Sequence, residues 1–233
     1  MEVDEVRETL EDELRWREEE LAFFNNILND ISDKKKDQYR KSLILLLYAH
    51  FEGFVKVALL TYLQYLNKKK LIISSVCIEL MASGLERQFK AYDNLDVKSK
   101  IFKRKLPDDT KLHRLCRRIH FLEEMDDFKS NKLVLTDDII NTESNLWYIV
   151  LQKNLLKLGF SIDLFAKYQP DIDRLVNRRN SIAHGNSRLG VTLNEYENWK
   201  NIVYDIETHL IRTIYDYLLH EKYLVNKQDI SIT

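Results

Sequence analysis

Residues 178–187 carry the densest chemical pattern in the chain, and they are Arg178-Arg179-Asn180-Ser181-Ile182-Ala183-His184-Gly185-Asn186-Ser187. Upstream, Pro170 suits the first turn of a helix, and Gly185 suits the residue just past its end. At 100° per residue, a helix from Asp171 to His184 collects its apolar residues on one side. The pattern therefore predicts an amphipathic helix that ends at the histidine.

Arg179 falls in the middle of that predicted apolar side. A guanidinium keeps its charge and is costly to bury without a partner, so this placement needs a reason. Asn180 and His184 lie on an adjacent strip, one helical turn apart. An arginine, an amide and an imidazole at one helix end are side chains suited to handling a phosphate.

The spacing of Arg179, Asn180 and His184 resembles the Arg-x4–6-His signature of HEPN domains, which are all-helical nucleases that cut RNA without a metal. Two earlier stretches also resemble a bacterial HEPN branch, in the same order along the chain. They are Leu45-Leu46-Leu47-Tyr48-Ala49-His50-Phe51-Glu52-Gly53-Phe54, similar to its second helix, and Asn141-Thr142-Glu143-Ser144-Asn145-Leu146, similar to its middle segment. Together the three landmarks span roughly residues 40–200, most of the chain.

The resemblance implies an all-α fold, a HEPN-type helical bundle that carries a helical insertion. We expect residues 1–225 to form a single domain, with a helical and basic insertion at residues 68–135 and a flexible tail at residues 226–233. Five glycines and two prolines in 233 residues agree with long helices and few turns.

Periodic apolar residues predict the helices in more detail. One amphipathic helix covers residues 3–31, interrupted on its apolar seam by Arg17, and a second covers residues 38–67 after a charged turn at Asp33–Asp37. Helical pieces are expected at residues 77–88 and 110–125, and Leu133–Leu135 is left open as a short extended piece. Ser144 is expected to cap a helix that ends at Gly159. A capping box at Thr192–Glu195 opens the last helix, 193–220.

Composition narrows the class of protein. A 45% hydrophobic and 31% charged content is ordinary for a globular protein, and the two cysteines, Cys77 and Cys116, are too few for a disulfide framework or a metal site. We therefore expect a cytoplasmic setting with no metal and no cofactor. The apolar run from Leu43 to Leu66 is broken by polar side chains, so a buried helix explains it better than a membrane span.

A net charge of −1 conceals two opposite clusters. Residues 1–33 contain twelve Asp and Glu against three Arg, whereas residues 98–118 contain nine Lys and Arg against two Asp. Two solvated faces, or an acidic helix packed near a basic one, would account for this pattern. A basic footprint for RNA is the other interpretation, with these candidate RNA-binding residues: Lys103, Arg104, Lys105, Arg117 and Arg118.

The chemistry follows from what RNA provides, because its 2′-hydroxyl can attack the adjacent phosphorus. His184 would act as general acid or base, Arg179 would donate to the phosphate, and Asn180 would orient His184 or the phosphate. Glu52 is a carboxylate in an otherwise apolar segment, and it would support the site if it pairs with Arg179. One histidine cannot easily both take and give a proton. By resemblance, HEPN nucleases dimerise so that two motif helices share one cleft.

The resulting hypothesis is a homodimeric, metal-independent endoribonuclease that leaves 2′,3′-cyclic phosphate and 5′-hydroxyl ends. Its resemblance to bacterial HEPN proteins implies toxin–antitoxin or antiphage defence, with an antitoxin or defence-system protein as partner. Many HEPN toxins paired with nucleotidyltransferases have a tyrosine two residues after the histidine; here that residue is Asn186, so regulation at such a tyrosine is not supported. Two alternatives remain. One is a non-catalytic HEPN scaffold or nucleotide sensor, and the other is a purely structural bundle with a coiled-coil first helix.

Overall fold

The protein is built from α-helices. The computed structural model describes residues 2–94, 96, 98 and 110–225, and within them lie nine helices: α1 Val3–Asn26, α2 Asp33–Lys68, α3 Ile78–Gly84, α4 Glu86–Asp93, α5 Thr110–Glu123, α6 Met125–Ser130, α7 Tyr148–Lys157, α8 Gln169–Ala183 and α9 Leu193–Leu219. These described residues contain no strand longer than an isolated bridge. The all-α prediction is confirmed.

Helix α2 forms the centre of the bundle. Helices α1, α8 and α9 pack against it, and α1 and α9 also pack against each other. Its side chains Phe51, Phe54 and Tyr62 are fully buried, and burial of each such side chain contributes roughly 1.5–3 kcal/mol. By length and composition α2 could also cross a membrane, but 56% of its most apolar window is buried inside the bundle. The core helix of a soluble protein meets the same criteria.

The ends of the first two helices differ from the prediction. Helix α1 ends at Asn26 and continues as a tighter 3-10 turn, Ile27–Asp30, because asparagine and aspartate favour turns over helix interiors. The predicted turn Asp33–Asp37 is wrong, since α2 already begins at Asp33. The lysines there are helix-compatible, and most of this first turn is exposed, so water solvates its charges.

A cap from another helix decides where α7 begins. Ser144 does not cap it, and the first helical residue is Tyr148, whose N–H donates to the carboxylate of Asp173 on α8 at 3.0 Å. Its end is as predicted, because Gly159 adopts a positive φ of 77°. A Cβ at Gly159 would also lie 2.6 Å from Sγ of Cys77, so a larger residue there would be strained and would have to displace the cysteine side chain.

The region from residue 71 to residue 135 is more broken than its sequence pattern indicates. The predicted helix 77–88 is split at Leu85 into α3 and α4, and the predicted helix 110–125 becomes α5 followed by α6. The extended piece exists: Leu133 N–H donates to Leu71 C=O at 2.7 Å, and the side chain of Asn67 bonds both backbone groups of Leu135. Its status as an insertion on one domain stays a prediction.

The seam residue Arg17 lies in a buried polar cluster between α1, α2 and α9. Its Nη1 donates to the Glu13 carbonyl and carboxylate at 2.5 and 2.6 Å, and its guanidinium stacks 4.3 Å from the Trp16 ring. Glu207 on α9 is 2% exposed, and burial raises its pKa to about 8 despite Arg17 nearby. A buried arginine was therefore compatible with the seam because its partners come from its own helix.

Candidate active site

Arg179 is held in place by neutral groups. Its Nη1 atom donates to Oδ1 of Asn145 and to Oδ1 of Asn180, each at 2.8 Å. The guanidinium carbon lies 5.0 Å from the centroid of the Tyr48 ring, within the range of a cation–π contact. The side chain is half-buried. None of these three partners cancels its charge.

Tyr48 connects the arginine to the centre of the bundle. It is 1% exposed, and its hydroxyl accepts the backbone N–H of Leu146 at 2.7 Å. Burial raises the pKa of Tyr48 well above its ordinary value, and the carboxylate of Glu52 raises it further, so the phenol stays neutral. The ring is thus a fixed, uncharged platform beneath Arg179.

Buried Asn154 fixes the loop that carries Asn145. Its Oδ1 accepts the N–H of Asn141 at 2.9 Å, and its Nδ2 donates to the carbonyls of Asn141 and Val150 at 2.9 and 2.8 Å. The Asp173 cap on Tyr148 ties the same loop to α8. Asn145 is therefore positioned from both sides before it meets Arg179.

His184 stands at the end of α8 and is exposed. Its backbone N–H donates to the Asn180 carbonyl at 3.0 Å, so it forms the C-cap, and Gly185 then turns the chain with a φ of 70°. In the part of the chain that the structure describes, its imidazole makes no hydrogen bond or ion pair. The predicted helix end is confirmed, and the ring is open to solvent.

The two adjacent arginines have separate environments. Arg178 donates to Ser187 Oγ and the Gly190 carbonyl at 2.8 Å, and it pairs with Glu195 at 3.1 Å. It holds the loop after α8 onto the first turn of α9. Only Arg179 lines the neighbouring cleft. Glu195 N–H donates to Thr192, so one half of the predicted capping box is present.

The loop after His184 is also fastened to α2. Lys41 donates to the Ser187 carbonyl at 2.7 Å, and the Val191 N–H donates to the Asp37 carbonyl at 2.8 Å. A Cβ at Gly190 would lie 2.8 Å from the Asp37 backbone, which explains the glycine. The backbone around His184 is therefore fixed at both ends.

A cleft of about 490 Å³ opens beside Arg179, and its lining residues come from α2, α8 and the loop before α7: Leu45, Tyr48, Ala49, Glu52, Gly53, Lys56, Thr142, Arg179 and Ala183. Glu52 and Arg179 share this cleft but form no ion pair with each other, since Arg179 bonds to two asparagines instead. His50 faces the other way, toward Glu20 on α1, at 2.7 Å.

The candidate RNA-binding residues lie elsewhere. Lys103, Arg104 and Lys105 fall outside the described residues. Arg117 and Arg118 lie on α5, where their Nε atoms donate to the carbonyl and the hydroxyl of Tyr92 at 3.0 and 3.1 Å. Neither lines the cleft. Among the residues that the structure describes, no three His, Cys, Asp or Glu are grouped to hold a metal ion.

Comparison with known families agrees with these landmarks. The family model described as HEPN_MAE_28990-like HEPN matches residues 6–223. The chain belongs to the HEPN family. No curated protein and no solved structure matches it. Membership in the family supports a HEPN-type function in general terms, and all three HEPN landmarks meet at Arg179, through Tyr48 and Asn145.

Two partners of Arg179, Tyr48 and Asn145, could not be assigned a role from the sequence, although both lie inside the landmarks. A signal existed, because a half-buried arginine needs acceptors, and asparagine supplies one without neutralising it. The sequence carried no information on which of several asparagines would be near.

Proposed function

We propose that this HEPN protein is a metal-independent endoribonuclease, and that Arg179, Asn180 and His184 act on the scissile phosphate. One observation carries the proposal: a guanidinium with only neutral partners borders an open cleft, and a solvent-exposed imidazole follows it on the same helix. A positive charge that is positioned but not neutralised is suited to binding an anion.

The hydrogen bonds of Arg179 leave one edge available for a phosphate. A guanidinium has five N–H donors, and the two on Nη1 are bound by Asn145 and Asn180. The N–H groups on Nε and Nη2 form the remaining fork, which matches two phosphate oxygens. Asn180 then acts by orienting the guanidinium, in addition to its backbone bond with His184.

In the proposed reaction the 2′-hydroxyl oxygen attacks phosphorus and the bond from phosphorus to the 5′-oxygen breaks. The products are a 2′,3′-cyclic phosphate and a 5′-hydroxyl. His184 takes the proton from the 2′-hydroxyl or gives one to the leaving oxygen. The Arg179 fork stabilises the charge that develops on the phosphoryl oxygens.

Each reaction needs two proton transfers, and each chain supplies one exposed motif histidine. We infer a homodimer in which two α8 helices face one cleft, so that each copy contributes half of a composite site. The setting that fits a HEPN ribonuclease is cytoplasmic toxin–antitoxin or antiphage defence, with a neutralising or activating partner protein. Glu52 would act in support, through Tyr48 and not by direct pairing.

The test is incubation of the purified protein with total RNA in EDTA, beside His184→Ala. We expect cleavage by the unaltered protein, 2′,3′-cyclic phosphate ends, and no cutting where the sugar is 2′-deoxy. Metal-dependent cutting or efficient DNA cleavage would refute the mechanism.

A non-catalytic HEPN scaffold is the second candidate. The His184 imidazole favours this candidate, because no partner among the described residues fixes its tautomer. A histidine that acts in catalysis is usually oriented by such a partner. Nucleotide binding at the cleft with no cleavage of any RNA, with or without cellular extract, would select the scaffold.

A further inference from the structure

An exposed stripe of alternating acidic and aromatic side chains runs along α1. It consists of Asp12, Trp16, Glu19 and Phe23, and the steps of four, three and four residues place all of them within an arc of about 60°. Trp16 and Phe23 are 45% and 64% exposed. We call this set the acidic stripe.

Helix α5 carries a stripe with the same spacing and the opposite charge. It consists of Lys111, Leu115, Arg118 and Leu122, and we call it the basic stripe. Leu115 and Leu122 are 51% and 69% exposed, and Ile119 beside them is 46% exposed. The other side of α5 packs on α4 and α6, where Phe121 contacts Phe89 and Phe128. Apart from the bond of Arg118 to Tyr92, the basic stripe therefore faces away from the described part of the protein.

Neither stripe is covered by the chain's own described residues. Large apolar side chains aligned with charges on an exposed helix face are typical of an interaction surface. Each stripe covers eleven residue steps, about 16 Å of helix. If the two helices lie parallel, each acid meets a base, Trp16 meets Leu115, and Phe23 meets Leu122. An antiparallel pairing would instead place each carboxylate against a leucine.

We propose that the acidic stripe of one copy docks, parallel, on the basic stripe of a second copy. Apolar burial supplies the affinity, and the two acid–base pairs set the orientation. Asp12 is now paired with Arg15 at 2.8 Å, but both side chains are more than 60% exposed, so this weak pair is readily exchanged. Arg118 uses only its Nε to bond Tyr92. This contact joins α1 of one copy to α5 of another, and it is separate from the α8 interface proposed for the composite site.

Zero-length crosslinking of carboxylates to lysines tests the contact on the unaltered protein. Equal amounts of light and isotope-labelled heavy chains are co-refolded so that they pair at random, then crosslinked and digested. The parallel pairing predicts an Asp12–Lys111 crosslink, and half of these crosslinked peptides join a light to a heavy chain. Crosslinks of Lys111 to α1 found only within one isotope, or no crosslink from Lys111 to α1, would overturn the proposal.

Charge reversal provides an independent test. Asp12→Lys with Glu19→Lys, and separately Lys111→Glu with Arg118→Glu, should each weaken association through this contact at least ten-fold, measured in sedimentation equilibrium as the loss of species larger than the α8-paired dimer. All four changes in one chain should restore it, because the pairs are re-formed with reversed sign. Lys34→Glu with Lys35→Glu, at exposed positions in the first turn of α2, is the matched control and should have no effect.

A failure of the four-fold variant to restore association would contradict the pairing. Binding to anionic lipid vesicles would also contradict it, if the unaltered protein binds them and Lys111→Glu with Arg118→Glu does not, while self-association persists in that variant. Such a result would assign the basic stripe to a membrane surface. The outcome does not depend on nuclease activity.

Discussion

Asn145 Oδ1 lies 2.8 Å from Arg179 Nη1, across 34 residues of sequence. An amide oxygen accepts a hydrogen bond from the guanidinium but carries no charge. The pairing therefore fixes the direction of the arginine and leaves its full positive charge in place. A carboxylate at residue 145 would hold the arginine more strongly and remove the reason for an anion to bind.

Asn145→Asp separates positioning from charge. We expect its folding stability to equal or exceed that of the unaltered protein, because an ion pair replaces a neutral hydrogen bond. We expect RNA cleavage to fall about 10²-fold, because the carboxylate neutralises the guanidinium and draws it from the phosphate. Asn145→Ala should lose activity and also about 1 kcal/mol of stability. Asn177→Ala, an exposed asparagine on α8, is the control. Full activity in Asn145→Asp would contradict the role given to Arg179.

His184→Ala should lower cleavage by about 10²–10⁴-fold, the usual contribution of a general acid or base. The melting temperature should hardly change, because the side chain is exposed and makes no described contact. The matched control is His220→Ala, since His220 is also an exposed C-cap, at the end of α9. Equal activity of the two variants would remove His184 from the mechanism.

Arg179→Lys keeps the charge but cannot reproduce the fork. We expect it to be nearly as inactive as Arg179→Ala, because lysine cannot bond two asparagines and two phosphate oxygens together. Arg179→Ala should be destabilised because Asn145, Asn180 and Tyr48 are left without their partner, and not because Glu52 is stranded. Thermal unfolding and initial cleavage rates measure the two effects.

Mixing unaltered chains with His184→Ala chains tests the composite site. Because the shared cleft uses the histidine of both copies, a mixed dimer lacks one of the two proton-transfer groups, and after co-refolding or subunit exchange the activity should fall as the square of the unaltered fraction. Activity that falls only in proportion to that fraction, with exchange demonstrated by mass, would show that each chain works alone.

Neutralising the basic cluster to glutamine should weaken RNA binding and make it less sensitive to salt. The cluster comprises Lys103, Arg104, Lys105, Arg117 and Arg118. The slope of log affinity against log salt concentration should become shallower by about 0.7 for each phosphate that the variant no longer binds, the value for single strands. Because Arg117 also bonds the Tyr92 carbonyl, a variant altering only residues 103–105 separates binding from folding. An unchanged salt slope would show that these side chains do not bind RNA and that the cluster is an ordinary solvated surface.

Glu207 should make stability depend on pH. Burial raises its pKa to about 8 in the folded protein, above its value in the unfolded chain, so the folded state binds the extra proton between these two pKa values. The contribution of Glu207 to stability is therefore highest at low pH and falls as pH rises toward 8, by up to about 1.4 kcal/mol per pH unit. The stability of Glu207→Gln relative to the unaltered protein should therefore increase from pH 5 to pH 8. The stability of Glu8→Gln, at an exposed position, should change with pH in the same way as that of the unaltered protein. Chemical denaturation across this range measures both.

Local signals in the sequence were enough to predict the motif helix and the end of α7. Pro170, Gly185 and Gly159 act through backbone geometry, which depends little on the rest of the fold. The start of α7 could not be predicted in this way, because its cap is Asp173, on another helix. The charged turn at Asp33–Asp37 was wrong because polarity alone does not distinguish a loop from a solvated first turn.

In the site, too, local features could be predicted from the sequence and long-range contacts could not. The positions of Arg179 and His184 on one helix could be predicted from their spacing, but the partners of Arg179 could not. Glu52 was the expected partner because charge suggested it, whereas the fold brings two asparagines and a tyrosine ring closer. Long-range contacts of this kind depend on packing angles that a single sequence does not state.

The three anchors of Arg179 come from residues 48, 145 and 180, and Arg179 itself lies on α8. During synthesis, a chain still lacking α8 has the platform and the acceptor but no guanidinium to place on them. The anion-binding cleft therefore stays incomplete until α8 has been made and packed against α2. If the protein cuts RNA, the ribosome that makes it does not meet the finished site before that point.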